Sequence, residues 1–191
     1  MNVLIINGHP LRNSFNEALA DAYIKGLHST TAEIKILNIR EINLSLDVSE
    51  NSNDANINKQ ITDAQNLITW STHQVWFYPL WWADVPALVK AFFEQVFVSG
   101  FAFKYQKSDK FVKWDKFLNG KTAHIITTMD SPPWFYKYFV KDPAFKMLKY
   151  NLKFCGFKKV KRHYFGSVKL SVSEQRKKWL TQAEKMGRLI K

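Results

Sequence analysis

INGHPLRNSFNEALADAY, residues 6–23, begins at the end of an apolar run and closes inside a helical repeat. The residues ahead of it, Val3-Leu4-Ile5-Ile6, read as a buried strand. Asn7-Gly8-His9-Pro10 breaks that run, and Phe15, Leu19, Ala22, Tyr23 and Leu27 then recur at helical spacing. A strand, a short loop and a helix start form a site at which α/β proteins hold phosphate. The first helical turn leaves N–H groups without intrahelical partners and carries the positive end of the helix dipole. Asn13 or Ser14 can cap this helix. Alternatively, the Ser14 hydroxyl, the His9 imidazole and the loop N–H groups can donate to a docked anion. The loop has neither the GxGxxG of a dinucleotide fold nor the GK[ST] of a P-loop, which argues against both.

The alternation continues outward. Residues 33–39 alternate as a half-buried strand, residues 44–58 read as an Asn/Ser-rich loop, and residues 59–70 suit a helix. Gln74–Tyr78 is a strand stopped by Pro79, and Pro86 opens a helix to Val98. Residues 100–120 read as an aromatic, lysine-rich connection, and Thr122–Thr127 as the fourth strand. A helix over 142–153, a fifth strand from Lys159 to Tyr164 and a last helix over 172–189 complete the pattern. Alternating strands and helices predict a parallel sheet covered on both faces. Five such units in 191 residues predict a single α/β domain, residues 1–191, with flavodoxin-like strand order 2-1-3-4-5 and three layers, rather than an eightfold barrel. Ligands of such sheets sit beyond the carboxyl ends of the strands, beside strand one. That singles out loops 7–14, 79–86 and 127–136.

Composition narrows the function classes. No apolar run reaches the roughly 20 residues needed to cross a bilayer. The N-terminal apolar stretch breaks at Asn7 without a basic flank, so no signal peptide is expected. The lone cysteine, Cys155, forms no internal disulfide, reads as a core residue and suits a cytoplasmic protein. The net charge of +12 is unevenly placed: residues 1–99 carry −4 and residues 100–191 carry +16. A basic half fits a solvated surface, an anionic small molecule, a membrane surface or nucleic acid. In that half Lys outnumbers Arg 19 to 3, which disfavours sequence-specific nucleic-acid reading. The five histidines are dispersed and make no metal-ligand cluster.

The second loop, Tyr78-Pro79-Leu80-Trp81-Trp82-Ala83-Asp84-Val85-Pro86, places adjacent tryptophans at a strand's carboxyl end. They can form a hydrophobic hinge under the following helix, or a flat surface for a planar, polycyclic ligand. The third loop, Thr127-Thr128-Met129-Asp130-Ser131-Pro132, offers hydroxyls and a carboxylate, with the aromatic cluster Trp134-Phe135-Tyr136 behind it. Asp130 can equally be a turn or cap residue.

GHPLRNSFN, YPLWWADVPALVKAFFEQVFVSGFAF and TTMDSP together resemble the NAD(P)H:quinone oxidoreductase family of flavodoxin-like flavoproteins. That group includes quinone reductases, bacterial modulators of drug activity, and ancillary flavoproteins of glutathione-gated potassium efflux systems. The likeness spans residues 2–165. It implies that His9, Ser14, Phe15 and Asn16 hold the flavin's phosphate and ribityl region. It implies that Pro79, Leu80, Trp81, Trp82 and Ala83 run along the ring, and that Thr127, Thr128, Met129 and Asp130 meet its other edge. Trp82, Met129, Trp134 and Tyr136 would line the substrate pocket. The resemblance further implies a homodimer with the pocket at the subunit boundary, near Glu94 and Phe101–Phe103. Many quinone reductases have Thr-Thr-Gly-Gly where this chain has Thr-Thr-Met-Asp, a change expected to narrow or polarise the site. Tyr136 matches a tyrosine that some members use to balance charge. No histidine stands near it, and Lys137 and Lys141 are the nearest cations in sequence.

The expected activity is two-electron transfer from NAD(P)H to a quinone or similar aromatic acceptor, by a ping-pong scheme. FMN is expected rather than the alternative, FAD, because the short chain has no further domain to cover an adenosine. Two other readings stand beside it: a regulatory ancillary protein docking on a membrane transporter, and a flavodoxin-type electron carrier.

Overall fold

A computed structural model describes residues 1–44, 55–107 and 112–190, with only the backbone of 55–57. The first half comprises β1 (Asn2–Asn7), α1 (Phe15–Leu27), β2 (Glu33–Asn38), a 3-10 turn (Ile39–Glu41), α2 (Ala55–Trp70), β3 (His73–Pro79) and α3 (Ala87–Val96). Then come β4 (Phe103–Gln106), β5 (Lys113–Lys116), β6 (Thr122–Thr128), α4 (Pro133–Tyr138), α5 (Pro143–Phe154), β7 (Lys159–Phe165), a second 3-10 turn (Val168–Leu170) and α6 (Ser173–Arg188). The main sheet is parallel with order β2-β1-β3-β6-β7, which is the expected 2-1-3-4-5 counted by its own strands.

Two-residue periodicity sorts the strand side chains into two cores. Leu4, Ile6, Trp76, Tyr78 and Ile125 face α2, α3 and α5. Val3, Ile5, Val75, Phe77, Ile126 and Phe165 face α1 and α6. Both faces are covered, so the three central strands read as apolar runs. Leu4, Ile5 and Ile6 are fully buried, and each contributes about 1.5–3 kcal/mol relative to an exposed position. On the second face the helices touch backbone to backbone. A Cβ on Gly26 would stand 2.0 Å from the Glu184 carbonyl oxygen, and one on Gly187 would stand 2.2 Å from that of Tyr23.

Three local expectations differ from the structure. The 100–120 connection contains a two-stranded antiparallel sheet, β4–β5, pinned by Trp114 stacked on Phe154 at 4.6 Å. Its strands are four residues long and lysine-rich, too short for a clear alternation. The six-residue α4 follows Pro132 and shows no full helical period. Helix α2 begins at Ala55, earlier than expected; residues 45–54 of the predicted 44–58 loop lie outside the described residues. Cys155 is buried, as a core residue should be, and burial pushes its thiol up to about 12. No helix among the described residues is long and apolar enough to cross a membrane.

Two histidines interrupt the apolar face toward α1 and α6. Burial pushes the His73 imidazole down to about 4 and that of His124 to about 3, with the charges of Lys161 and neighbouring histidines adding to it. Both are neutral in the folded chain at neutral pH, whereas the unfolded chain titrates them near 6.5. The stability tied to their neutral form is complete above that value and is lost as pH falls toward 4. The loss should be of order 2 kcal/mol for each by about pH 5. Urea midpoints measured from neutral to mildly acidic pH should fall steeply, and His124→Gln should flatten the curve. A midpoint independent of pH over that range would contradict this.

Candidate functional site

The loops after β1, β3 and β6 lie at the carboxyl edge of the sheet, around the point between β1 and β3 where the strand order reverses. The first loop leaves the sheet tightly. The Gly8 N–H donates to the Phe77 carbonyl at 2.7 Å. A Cβ there would stand 2.5 Å from Val89 Cγ2 on α3, so any other residue must displace that methyl. The Asn7 side chain accepts from the His9 N–H at 3.1 Å, and the Leu11 N–H donates to His9 Nδ1 at 3.0 Å. Nδ1 also lies 3.1 Å from the Leu11 carbonyl oxygen, so it either accepts from the Leu11 N–H or donates to that carbonyl, according to the tautomer. Burial, and after it the charge of Arg40, holds the imidazole below its ordinary value. At neutral pH His9 is therefore neutral and carries one ring N–H.

Helix α1 starts as the sequence predicts. Asn13 is in the left-handed region (φ 54°), and Ser14 is the N-cap, accepting from the Glu17 N–H at 3.2 Å. Among the described residues, the Phe15 and Asn16 N–H groups have no acceptor, and the Ser14 hydroxyl proton is still free to donate. Glu17 reaches back to the Asn13 N–H at 2.7 Å and pairs with Arg40 Nη2 at 2.7 Å. The hydrogen bond from Arg40 is the main cause of the lowered Glu17 pKa. Arg40 is largely buried, and its Nε and Nη1 have no partner among the described residues. A guanidinium with spare donors thus sits beside the helix start, and it was not anticipated. The strand order contained the signal, since Arg40 follows the carboxyl end of β2, the neighbour of β1.

The second loop is a strained turn. Trp81 and Asp84 exchange backbone hydrogen bonds, both at 3.0 Å, around Trp82 (φ 52°) and Ala83 (φ 64°). Two left-handed residues in a two-residue hairpin are the geometry for which Asn-Gly is preferred. A non-glycine residue there costs about 1–2 kcal/mol. Tyr136 holds the turn in place: its hydroxyl donates to the Ala83 carbonyl at 2.9 Å and accepts from the Ala144 N–H at 3.1 Å. The turn leaves the Trp82 indole entirely in solvent. Trp81 is about half exposed, and its ring meets the His9 ring edge-on at 6.1 Å. The first and second loops are therefore in contact.

The third loop is placed differently from the side-chain expectation. Thr127, Thr128 and Met129 are buried, and Met129 packs in the core rather than narrowing an opening. Thr128 donates its hydroxyl to the side-chain oxygen of Asn16, itself 1% exposed, which ties this loop to α1. The Thr128 carbonyl accepts from the Leu80 N–H at 2.8 Å, and Pro79 is buried at the end of β3. Asp130 accepts from the Lys169 N–H at 3.0 Å and so orders the loop after β7. Tyr136 is buried and its hydroxyl is fully engaged, whereas Trp134 is exposed beside Phe135 and Phe139. Glu94 pairs with Lys90 along α3, and Phe101 and Phe103 are half-buried against the core.

A second cation went unanticipated. Arg176 of α6 lies over the Phe15 ring at 5.6 Å, held by the Val168 carbonyl at 3.2 Å and the Ser171 hydroxyl at 2.9 Å. Its distance in sequence from the first loop hides the juxtaposition.

Residues 1–188 match the family model described as Flavodoxin-like fold. The chain belongs to this family. A Haemophilus influenzae protein named as an uncharacterized NAD(P)H oxidoreductase is 27% identical over 184 residues, covering 93% of this chain and 89% of that protein. A rat protein named NAD(P)H dehydrogenase [quinone] 1 is 26% identical over 181 residues, covering 81% of this chain and 64% of that protein. Among solved structures, one from Streptococcus mutans superposes with a TM-score of 0.83 at 28% identity, covering 100% of both chains.

Proposed function

We propose that this protein is a flavin-dependent NAD(P)H oxidoreductase that passes two electrons to a quinone or similar aromatic acceptor, with FMN as its cofactor. One observation carries the reading: anion donors and exposed indoles meet at the same edge of the sheet. The donor set fits a monophosphate. It combines the free N–H groups of Phe15 and Asn16, the Ser14 hydroxyl, the His9 imidazole and the charge of Arg40. The absence of a bare-backbone glycine cradle fits a phosphate ester better than the pyrophosphate of FAD. Trp81 and Trp82 supply flat apolar surface for a ring system.

When bound, FMN supplies the two-electron redox chemistry. The chain's own work is binding and orientation. The start of α1 anchors the phosphate, and Tyr136 fixes the Trp81–Asp84 turn so that the indoles are held ready. The indoles and the α4 aromatics are exposed in the single chain and would wall an apolar slot only when a second protomer covers them. Tyr136 remains protonated, burial having pushed it up to about 12, so it positions the turn rather than moving protons. No side-chain nucleophile is required. A homodimer that buries the exposed aromatic residues of the second loop and α4, and so closes the slot, is part of this proposal.

Initial rates with NADPH and menadione test the scheme. Double-reciprocal plots at several fixed menadione concentrations should be parallel, because donor and acceptor use one slot in turn. Intersecting lines, or no turnover with the flavin bound, would contradict it. No turnover combined with retention on a membrane transporter would instead favour the regulatory reading.

A further inference from the structure

The opposite, amino-terminal edge of the sheet holds a cavity of about 440 Å³. The strands supply five polar side chains to its lining: His73 from β3, Thr122 and His124 from β6, and Lys159 and Lys161 from β7. By strand periodicity they share the sheet face that carries Val75, Ile126 and Phe165 farther along. The inner strands β3 and β6, covered on both faces, are ordinarily apolar there, so packing does not demand His73, Thr122 and His124; Lys159 and Lys161 stand exposed on the edge strand β7. The rest of the lining is Ala123 of β6, the phenol of Tyr23 from α1, and the apolar Met186 near the end of α6 with Leu189 and Ile190 just beyond it.

The polar wall is unbalanced in charge. No Asp or Glu lines the cavity, and neither lysine has an ion-pair partner among the described residues. His73 Nδ1 lies 2.6 Å from the Thr122 hydroxyl oxygen, and its Nε2 is buried with no partner among the described residues. Strands of seven residues separate this cavity from the first-loop anion site by about 20 Å, so the two are distinct.

We propose that this cavity binds a small apolar carboxylate, with its headgroup between Lys159, Lys161 and the Thr122 hydroxyl and its body against Tyr23, Met186, Leu189 and Ile190. Two cations facing a polar wall select an anion, and the apolar lining selects a body of one or two rings. The volume falls within the range of small-molecule sites, about 300–1,000 Å³.

The chain's four methionines allow a direct test. Naphthoate is titrated into the flavin-loaded protein carrying methyl-labelled methionine, with uncharged naphthamide as the comparison. Met186 lines the cavity, while Met129 lies at the third loop near the proposed flavin site. The Met186 methyl signal should shift saturably with naphthoate while that of Met129 stays in place. Naphthamide should bind at least about 10-fold more weakly, and Lys159→Gln with Lys161→Gln should weaken naphthoate by at least about 10-fold. The site is overturned if Met186 does not respond to millimolar naphthoate, if naphthamide binds equally well, or if the double variant binds naphthoate as the parent does. None of these outcomes depends on turnover, so failure of this site and failure of the oxidoreductase activity are distinguishable.

Discussion

Arg40→Ala is expected to weaken FMN binding by about 100-fold, equivalent to about 2–3 kcal/mol. Two effects add. The substitution removes a largely buried positive charge from beside the helix start. It also strips the Glu17 carboxylate of its partner at 2.7 Å, leaving a negative charge beside the anchored phosphate. Arg40→Lys keeps the charge but not the fork, and it should fall between the parent and the alanine variant. Adding Glu17→Gln to Arg40→Ala should recover part of the loss, which isolates the repulsive component. Quenching of FMN fluorescence by the flavin-stripped protein measures all four affinities. An Arg40→Ala affinity within about 3-fold of the parent would remove Arg40 from the site.

Gly187→Val is expected to cost about 3 kcal/mol or more of folding stability. Overpacking a well-filled core typically costs 1–3 kcal/mol, and here the obstacle is rigid. The added Cβ would stand 2.2 Å from the Tyr23 carbonyl oxygen and 3.1 Å from the Leu27 nitrogen. A flexible side chain could yield; a helix backbone can move only as a body. Helix α1 would have to separate from α6, and α1 carries Ser14, Phe15 and Asn16 at its start. The variant should therefore lose both its urea midpoint and its flavin affinity. An unchanged midpoint would show that the two helices do not approach as closely as described.

Much of the architecture was legible because the central strands are apolar runs, and two of them stop at a recognisable break. Val3–Ile6 ends at Asn7-Gly8, and Val75–Tyr78 ends at Pro79. The β4–β5 pair and α4 were not legible, because four- and six-residue elements contain too few repeats for periodicity to register. The positions of His9 and Ser14 and of the paired tryptophans were readable from strand order alone. Other roles depended on tertiary contacts. Asn16 and Thr128 turn toward each other instead of standing open, and the Tyr136 hydroxyl is spent on the Ala83 carbonyl. Arg40 and Arg176 reach the start of α1 from elements distant in sequence. What a linear reading missed is mainly the direction in which a loop side chain points, and that is decided by neighbours from elsewhere in the chain.

The strained second loop fits the same account. Trp82-Ala83 occupies a turn that Asn-Gly would make at lower cost, and Tyr136 holds it there. Residues kept in unfavourable backbone regions concentrate at functional sites. Here the conformation presents a whole indole to solvent beside the donors of the first loop.

The central claim, that this sheet edge holds a redox-active flavin, is most directly tested by the visible absorbance of the purified protein during anaerobic addition of NADPH and NADH. The account predicts a yellow protein that releases FMN on denaturation, is bleached by at least one of the two nucleotides, and regains its colour on addition of menadione. A colourless protein that takes up neither added FMN nor FAD would contradict it.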